Sequence, residues 1–354
     1  DASGKDVYDF KLKEAMDHEY GNNGKNDFDL SFKFSVTSNG MTSDNKTFNV
    51  TVVDSVPNAK DKTVITNEDK AISIRLSNDA FKDNGTIKIN GSDVAKGAEI
   101  SIYEPSDTNK EHPIGKLLNN GDGTVKFTPS PDYSNYDFTK SPQFTYTVTD
   151  FDGDEATATV RVNVKPVADA PTIFVKNVET YEDNKNTQEG TNRVSLELKV
   201  PSLSKDQTDK NNATGDSPER NGEITLKFTN GDSLVSKAEG KNIPNTGAKL
   251  FYIKDGESEP REIDNFLINV NKNLKIVIVE TSGSTTPDTK YHYDGLNPTA
   301  GKDEKVVYLT QKEYESLKIQ HAEDNDTDIK ITINVKSYEV DDSGKPLNAS
   351  DSTY

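Results

Sequence analysis

Apolar and polar residues alternate with a period of two in many short stretches of the chain. Successive side chains of a β-strand point to opposite faces, so this pattern predicts strands that bury one face. The predicted strands are Leu30–Val36, Phe48–Val52, Ile72–Leu76, Phe144–Val148, Ala156–Val164, Val194–Val200 and Ile329–Val335. Gly, Asn, Asp and Pro separate these stretches, as is typical of turns between antiparallel strands.

One short helix is predicted to begin near residue 310. Thr310 and Glu313 have the spacing of a capping box, and Tyr314 and Leu317 follow on one helical face. The rest of the pattern predicts antiparallel β-structure, and many short strands at this spacing favour sandwiches over barrels. The predicted fold class is therefore all-β, with tandem antiparallel β-sandwich domains and a short helix in the third.

A repeated arrangement of residues predicts the domain boundaries. Pro57 precedes the acidic pair Glu68-Asp69 by eleven residues, and Pro171 precedes Glu182-Asp183 by the same separation. Each junction thus combines an alternating strand, a proline-stiffened linker and an acidic pair at the start of the next unit. The predicted division is the C-terminal part of a truncated β-sandwich at 1–56, a complete sandwich at 57–170 and a larger sandwich with insertions at 171–354.

Composition and charge restrict the functions that this chain can have. Its 354 residues include 42 Lys+Arg and 60 Asp+Glu, for a net charge of -18, and neither Cys nor Trp. The lack of cysteine excludes disulfides, thiol nucleophiles and thiolate metal sites. No apolar run reaches the roughly 18 residues needed to cross a bilayer, and an acidic chain repels nucleic acid. We therefore expect a soluble, monomeric fragment of a longer protein, without membrane insertion.

An acidic turn between two predicted strands is the principal candidate for a metal site. Asp150, Asp152, Asp154 and Glu155 place four carboxylates within six residues. A cation would relieve their repulsion, and oxygen-only ligands favour Ca²⁺, which takes six to eight of them. An ordinary solvated hairpin turn is the alternative, because Asp-Gly is also a common hairpin signal.

Further ligands are expected from the linker and the next domain, because a sandwich gathers its end loops and linker at one pole. These residues are Asp169, Glu182 and Asp183 at the second junction, and Asp54, Glu68 and Asp69 at the first. A separate cluster, Asp324, Asp326 and Asp328, could hold an ion within the third domain or form a solvated turn. None of these segments has the glycine spacing of an EF-hand loop.

Several of these segments resemble the cadherin-like and immunoglobulin-like tandem repeats of large bacterial RTX adhesins. They are residues 124–133, 144–154 and 167–171, together with 17–30 and 309–329. The resemblance implies that Asp150, Asp152, Asp154, Asp169 and Glu182 are calcium ligands at a domain junction. It further implies a calcium-stiffened stalk, secreted to the surface of a Gram-negative bacterium, that serves attachment and biofilm formation.

Two alternatives to a plain spacer remain at this point. The enlarged third domain could recognise a peptide or glycan through loops at Ser204–Asn221 or Thr281–Lys305. An enzymatic role is disfavoured because the chain has no Gly-x-Ser-x-Gly elbow, no His-Glu-x-x-His site and no phosphate-binding glycine loop. A carbohydrate-active domain would also lack the tryptophans that often stack on sugars. We therefore expect no catalysis.

Overall fold

The computed structural model describes most of the chain, in two compact units. The described residues are 10–13, 16, 26–54, 57–76, 87–104, 107–135, 141–149, 153–180, 193–203, 218–229, 235–236, 243–244, 248–268, 272–321 and 329–347. The first unit comprises Asp1–Tyr133 and Thr139–Val164, and the second comprises Ser134–Phe138 and Lys165–Tyr354. The finer division at residues 56 and 170 stays a prediction.

The first unit is built from β-strands in two main sheets. Its strands are β1 (Phe28–Phe34), β2 (Thr37–Ser38), β3 (Met41–Thr42), β4 (Lys46–Val52), β5 (Lys62–Asn67), β6 (Ile72–Arg75), β7 (Ile87–Ile89), β8 (Ser92–Val94), β9 (Glu99–Tyr103), β10 (Pro113–Asn119), β11 (Thr124–Pro129), β12 (Gln143–Thr149) and β13 (Glu155–Lys165). The sheets have the orders β6-β11-β10-β9 and β5-β13-β12-β7-β8. Two further pairs, β1-β4 and β2-β3, precede them.

The predicted alternation places side chains in the core of the first unit. Phe144, Tyr146 and Val148 on β12 are at most 2% exposed, whereas Thr145, between the first two, is exposed. The Tyr146 hydroxyl donates to the Lys60 carbonyl over 2.9 Å and accepts from the Lys60 amide over 3.0 Å, so it anchors the segment that enters β5. Hydrophobic burial on one strand face thus assembles the sheets as the period predicts.

Strand β1 forms where predicted but does not bury its apolar face. Phe32 and Phe34 are each 37% exposed and Val36 is 62% exposed. In the described part of the chain β1 pairs with β4 alone, and Phe32 stacks on Phe48 at 5.2 Å between ring centroids. A two-stranded ribbon offers only one neighbouring strand to cover these side chains.

The second unit contains two four-stranded sheets and two short pairs. Its elements are β14 (Arg193–Ser195), β15 (Glu219–Asn221), β16 (Ile224–Thr229), β17 (Val235–Ser236), β18 (Ile243–Pro244), β19 (Lys249–Ile253), β20 (Pro260–Leu267), β21 (Asn273–Val279), β22 (Glu304–Thr310), α1 (Gln311–Glu315), β23 (Lys318–Gln320), β24 (Lys330–Asn334) and β25 (Ser337–Glu339). The sheet orders are β14-β23-β19-β20, β22-β21-β16-β24, β15-β25 and β17-β18. The all-β prediction is thus confirmed.

Two local features of the second unit differ from the predicted antiparallel pattern. Strands β21 and β22 pair in parallel, because the long connection at 280–303 returns the chain to the starting edge. The predicted strand Val194–Val200 ends at Ser195, since Glu197 has a positive φ of 49° that is incompatible with an extended strand. Leu196 and Leu198 are nevertheless buried in the core.

The predicted helix is confirmed. Helix α1 has Thr310 as its N-cap, and Thr310 and Glu313 form a reciprocal capping box. Tyr314 and Leu317 are fully buried in the core of the second unit, which also contains Leu226, Leu274 and Ile276. Capping fixes the start of the helix, and burial of its apolar face fixes its position against the sheets.

Candidate metal centres

The predicted ligands are only partly placed by the structure. Those outside the described residues are Asp150, Asp152, Glu182, Asp183, Asp324, Asp326 and Asp328. The described ligands are Asp54, Glu68, Asp69, Asp154 and Asp169. Within the described ranges, no three or more His, Cys, Asp or Glu side chains form a group suited to a metal ion.

Asp154 lies at the end of the acidic turn and is only 2% exposed. The preceding residue, Gly153, has a positive φ of 90°, which glycine adopts readily. The next residue, Glu155, pairs with Thr149 across the β12-β13 hairpin and forms an ion pair with Lys88. The buried carboxylate of Asp154 therefore lies immediately before the regular strand β13.

Strand β13 separates Asp154 from the linker. From Glu155 to Val164 the strand rises about 30 Å at roughly 3.3 Å per residue. Asp154 precedes one end of this strand, and Asp169 follows its other end, where its side chain is exposed. The grouping of Asp154 with Asp169 in one site stays a prediction.

Asp54 fixes the start of the linker to the β1-β4 ribbon. Its side chain is 4% exposed, and its Oδ2 accepts a hydrogen bond from the Asn26 amide over 3.1 Å. In return, the Asp54 amide donates to Oδ1 of Asp27 over 3.3 Å. This reciprocal pair closes the ribbon beyond its terminal pair of residues, Phe28 and Val52.

Glu68 and Asp69 lie in a different place, at the turn between β5 and β6. Asp69 has a φ of 55°, and its Oδ1 accepts from the Asp132 amide over 3.4 Å. Next to Asp132, the Tyr133 hydroxyl donates to Oε1 of Glu104 over 3.2 Å. These contacts gather three loops, and Glu68 and Glu104 are buried there with exposures of 6% and 8%. The grouping of Asp54 with Glu68 and Asp69 stays a prediction.

The second unit contains a buried acidic pair that is not among the predicted ligands. Glu219 on β15 and Glu339 on β25 are register partners, with exposures of 0% and 1%. The amide of Asp169 donates to Oε1 of Glu219, which ties the linker to this pair. Polar residues occupy alternate positions on both strands, Glu219 and Asn221 on β15 and Ser337 and Glu339 on β25. This alternation is the sequence signal that could have indicated the pair.

Arg220 lies between these polar residues but on the opposite face of the ribbon. Its Nε donates to the Thr289 carbonyl over 2.8 Å, and its Nη1 donates to the Glu219 carbonyl over 2.6 Å. Desolvation by burial lowers the pKa of Arg220 from its ordinary value. The guanidinium therefore binds backbone oxygens rather than approaching the carboxylate face.

Comparison with known families supports an adhesion-type domain in the first unit. Residues 54–166 match the family of bacterial cadherin-like domains. This match supports a cadherin-like β-domain at these residues, a domain type that suggests an extracellular or surface location. Among curated protein sequences, no significant match to the chain was found. In the described residues, no helix is both long and apolar enough to span a membrane.

Solved structures give only distant similarities. A chicken T-cell receptor structure matches with 10% identity over 58% of this chain and 84% of that chain, at a TM-score of 0.21. Cadmium-bound SporoSAG matches with 16% identity over 39% of this chain and 60% of that chain, at a TM-score of 0.19. Murine CEACAM1b matches with 19% identity over 47% of this chain and 69% of that chain, at a TM-score of 0.18. These scores are too low to support a functional argument.

Proposed function

We propose that this chain is a non-catalytic segment of a bacterial surface adhesin in which bound calcium stiffens tandem β-sandwich domains. The observation that carries the proposal is the burial of carboxylates in the loops and linker of residues 54–166. Asp54, Glu68, Glu104 and Asp154 are 4%, 6%, 8% and 2% exposed. These buried carboxylates supply oxygen donors of the kind that hard cations bind.

Calcium fits this set of side chains better than other common cations do. Carboxylate oxygens suit hard cations, and Ca²⁺ accepts six to eight oxygen ligands with flexible geometry. The chain also has no cysteine, and its net charge of -18 would be reduced by each bound ion. We assign Glu68 with Glu104 to one site, because hydrogen bonds connect their loops through Asp132 and Tyr133, and Asp154 to another.

The proposed mechanism is linkage between ion binding and order. Ligand that binds only the folded state at about 100 times its Kd stabilises that state by about 2.7 kcal/mol. Extracellular modules bind calcium at about 10⁻⁴ to 10⁻³ M, so the segment would be stiff outside cells and loose in calcium-poor cytosol. Such a segment suits a stalk of an RTX adhesin that carries a peptide- or glycan-binding tip during surface attachment and biofilm formation of a Gram-negative bacterium.

The test is calcium removal from the full chain. Scanning calorimetry with about 1 mM calcium and with EDTA should show a higher melting temperature with the ion, and X-ray scattering should show a more flexible chain without it. Asp154→Asn and Glu68→Gln should each reduce the calcium-dependent increase in melting temperature. Asp93→Asn, which changes an exposed carboxylate on β8, is the matched control. Identical melting and scattering with and without calcium would overturn the proposal.

A further inference from the structure

Asparagine followed by glycine recurs along the chain, and four such pairs lie within the described residues. They are Asn39-Gly40, Asn90-Gly91, Asn120-Gly121 and Asn221-Gly222. The pairs that begin at Asn23, Asn84 and Asn230 lie outside those residues. Glycine has no side chain to shield its backbone nitrogen, so this nitrogen can attack the side-chain amide of the preceding asparagine. Because the four pairs are the same dipeptide, differences in their reactivity in the folded protein follow from the structure around them.

The pair at Asn221 is the most strongly protected of the four. Asn221 is only 1% exposed, and its Nδ2 donates to the Pro201 carbonyl over 3.4 Å. The nitrogen that would attack is also engaged, since the Gly222 amide donates to the Lys336 carbonyl over 2.8 Å. Both reacting groups are therefore restrained, and burial keeps water away from them.

The pair at Asn120 is restrained in the same two ways but is partly exposed. Nδ2 of Asn120 donates to Oγ1 of Thr124 over 2.8 Å, and the Gly121 amide donates to Oδ1 of Asn119 over 2.9 Å. Two hydrogen bonds must therefore break before the nitrogen can reach the side-chain carbon.

Asn90 is exposed, but its side chain is tied to strand β12. Its Oδ1 accepts from the Thr145 amide over 2.9 Å and from the Thr145 hydroxyl over 3.5 Å. One short hydrogen bond thus restrains the side chain of this asparagine.

The Asn39-Gly40 pair forms the tip of the β2-β3 hairpin. Ser38 pairs with Met41, and the two tip residues are exposed, with positive φ values of 52° and 78°. A Cβ added at Gly40 would meet no atom within 4 Å, so the space around the tip is open. In the part of the chain that the structure describes, no hydrogen bond engages the Asn39 side-chain amide or the Gly40 nitrogen.

We infer that Asn39 is the first of these four asparagines to lose its side-chain amide, through a succinimide that forms without an enzyme. The Gly40 nitrogen attacks Cγ of Asn39, the bond from Cγ to Nδ2 breaks, and the proton from the Gly40 nitrogen ends on the departing ammonia. Water then opens the five-membered ring at either carbonyl, which leaves aspartate or isoaspartate. No oxidant or reductant takes part, and the net reaction consumes one water and releases one ammonia.

The conversion changes the hairpin in two ways. A carboxylate replaces a neutral amide, which adds one negative charge to a chain whose net charge is already -18. Isoaspartate also inserts a methylene group into the main chain between Ser38 and Met41, where a turn of two residues fits. This inference concerns the covalent chemistry of the chain and does not depend on the proposed function.

The hydrogen bonds set the expected order of the rates. A hydrogen bond that must break before the attack slows the reaction about fivefold. Asn90 should therefore react about fivefold more slowly than Asn39, and Asn120 about 25-fold more slowly. Asn221 should be the slowest, because it is buried as well as restrained.

The experiment is peptide mapping of the folded full chain during incubation in mildly alkaline buffer. Trypsin places the asparagines in separate peptides, because Lys or Arg lies between them, and mass spectrometry follows the loss of each amide. The Asn39 peptide should convert first, followed by those of Asn90, Asn120 and Asn221. Conversion of any other of the four at the rate of Asn39 or above would overturn the inference. Faster conversion at Asn90 would mean that the Thr145 amide activates the side-chain carbonyl instead of restraining it.

Two controls separate the structure from the dipeptide. In guanidinium chloride the four rates should converge, because unfolding removes the hydrogen bonds; the folded-state order with unchanged rate ratios would overturn the inference. Thr124→Val removes the acceptor of the Asn120 amide and should speed conversion of Asn120 about fivefold. The rates at Asn39 and Asn221 should stay the same in this variant, which shows that it remains folded. An unchanged rate at Asn120 in the folded variant would refute the role given to the hydrogen bonds.

Discussion

Replacement of Glu313 by alanine should destabilise the second unit strongly. The side chain is 1% exposed, and its two oxygens accept three hydrogen bonds: from the Thr310 amide over 2.9 Å, the Asp255 amide over 3.1 Å and the Ser282 hydroxyl over 2.6 Å. The carboxylate therefore joins the start of helix α1 to two separate loops.

The expected loss follows from the donors that the substitution would leave behind. A buried donor without a partner costs about 1–3 kcal/mol, and the Thr310 and Asp255 amides would both lose theirs. The Ser282 hydroxyl can rotate to another acceptor, so we expect a total of about 3 kcal/mol. For a unit of this size, that corresponds to a decrease in melting temperature of about 6–12 °C.

Scanning calorimetry of the full chain measures this decrease. Glu315→Ala is the matched control, because it lies on the same helix and pairs over 3.0 Å with a Lys199 that is 61% exposed. Such a surface pair contributes about 0–1 kcal/mol. If Glu313→Ala and Glu315→Ala lowered the melting temperature equally, the assignment of Glu313 as a buried anchor would be refuted.

Two further predictions concern packing and acid sensitivity. Gly115→Ala should destabilise the first unit by about 1–3 kcal/mol, because the added Cβ would lie 2.6 Å from the Phe127 ring and 2.7 Å from the Thr128 carbonyl. Urea denaturation should show a lower midpoint for this variant. An unchanged midpoint would contradict the close packing at this glycine. A hydrogen bond from Lys275 lowers the pKa of Glu304 below its ordinary 4.5. The stability that Glu304 contributes should therefore be present above pH 4.5 and be lost as the pH falls through its folded-state pKa. The difference in urea midpoint between Glu304→Gln and the unmodified protein should shrink in acid. A difference that stays constant with pH would argue against the Lys275–Glu304 pair.

Local patterns correctly indicated the strands and the helix. The alternation at Phe144–Val148 forms β12, and the spacing of Thr310 and Glu313 forms the capping box of α1. Both depend on contacts between residues close in sequence, so the period and the cap were sufficient. The same period also predicted β1, but could not indicate that Phe32 and Phe34 remain partly exposed, since burial depends on which strands lie alongside.

Candidate metal ligands were harder to group from the sequence. The crowding of Asp154 with its neighbours was visible, and its carboxylate is indeed buried. Its grouping with Asp169 followed from the expectation that a sandwich gathers its end loops and linker at one pole, and that grouping stays a prediction.

The amino-acid sequence by itself determined the all-β class, the positions of most strands, the capped helix and the excess of carboxylates. These follow from side-chain period, local hydrogen bonding and composition, none of which requires distant partners. Only the tertiary structure decided that Glu219 lies opposite Glu339, because strand register pairs residues 120 positions apart. Burial then makes the location of each charge matter, since a carboxylate removed from water depends on the few atoms that surround it.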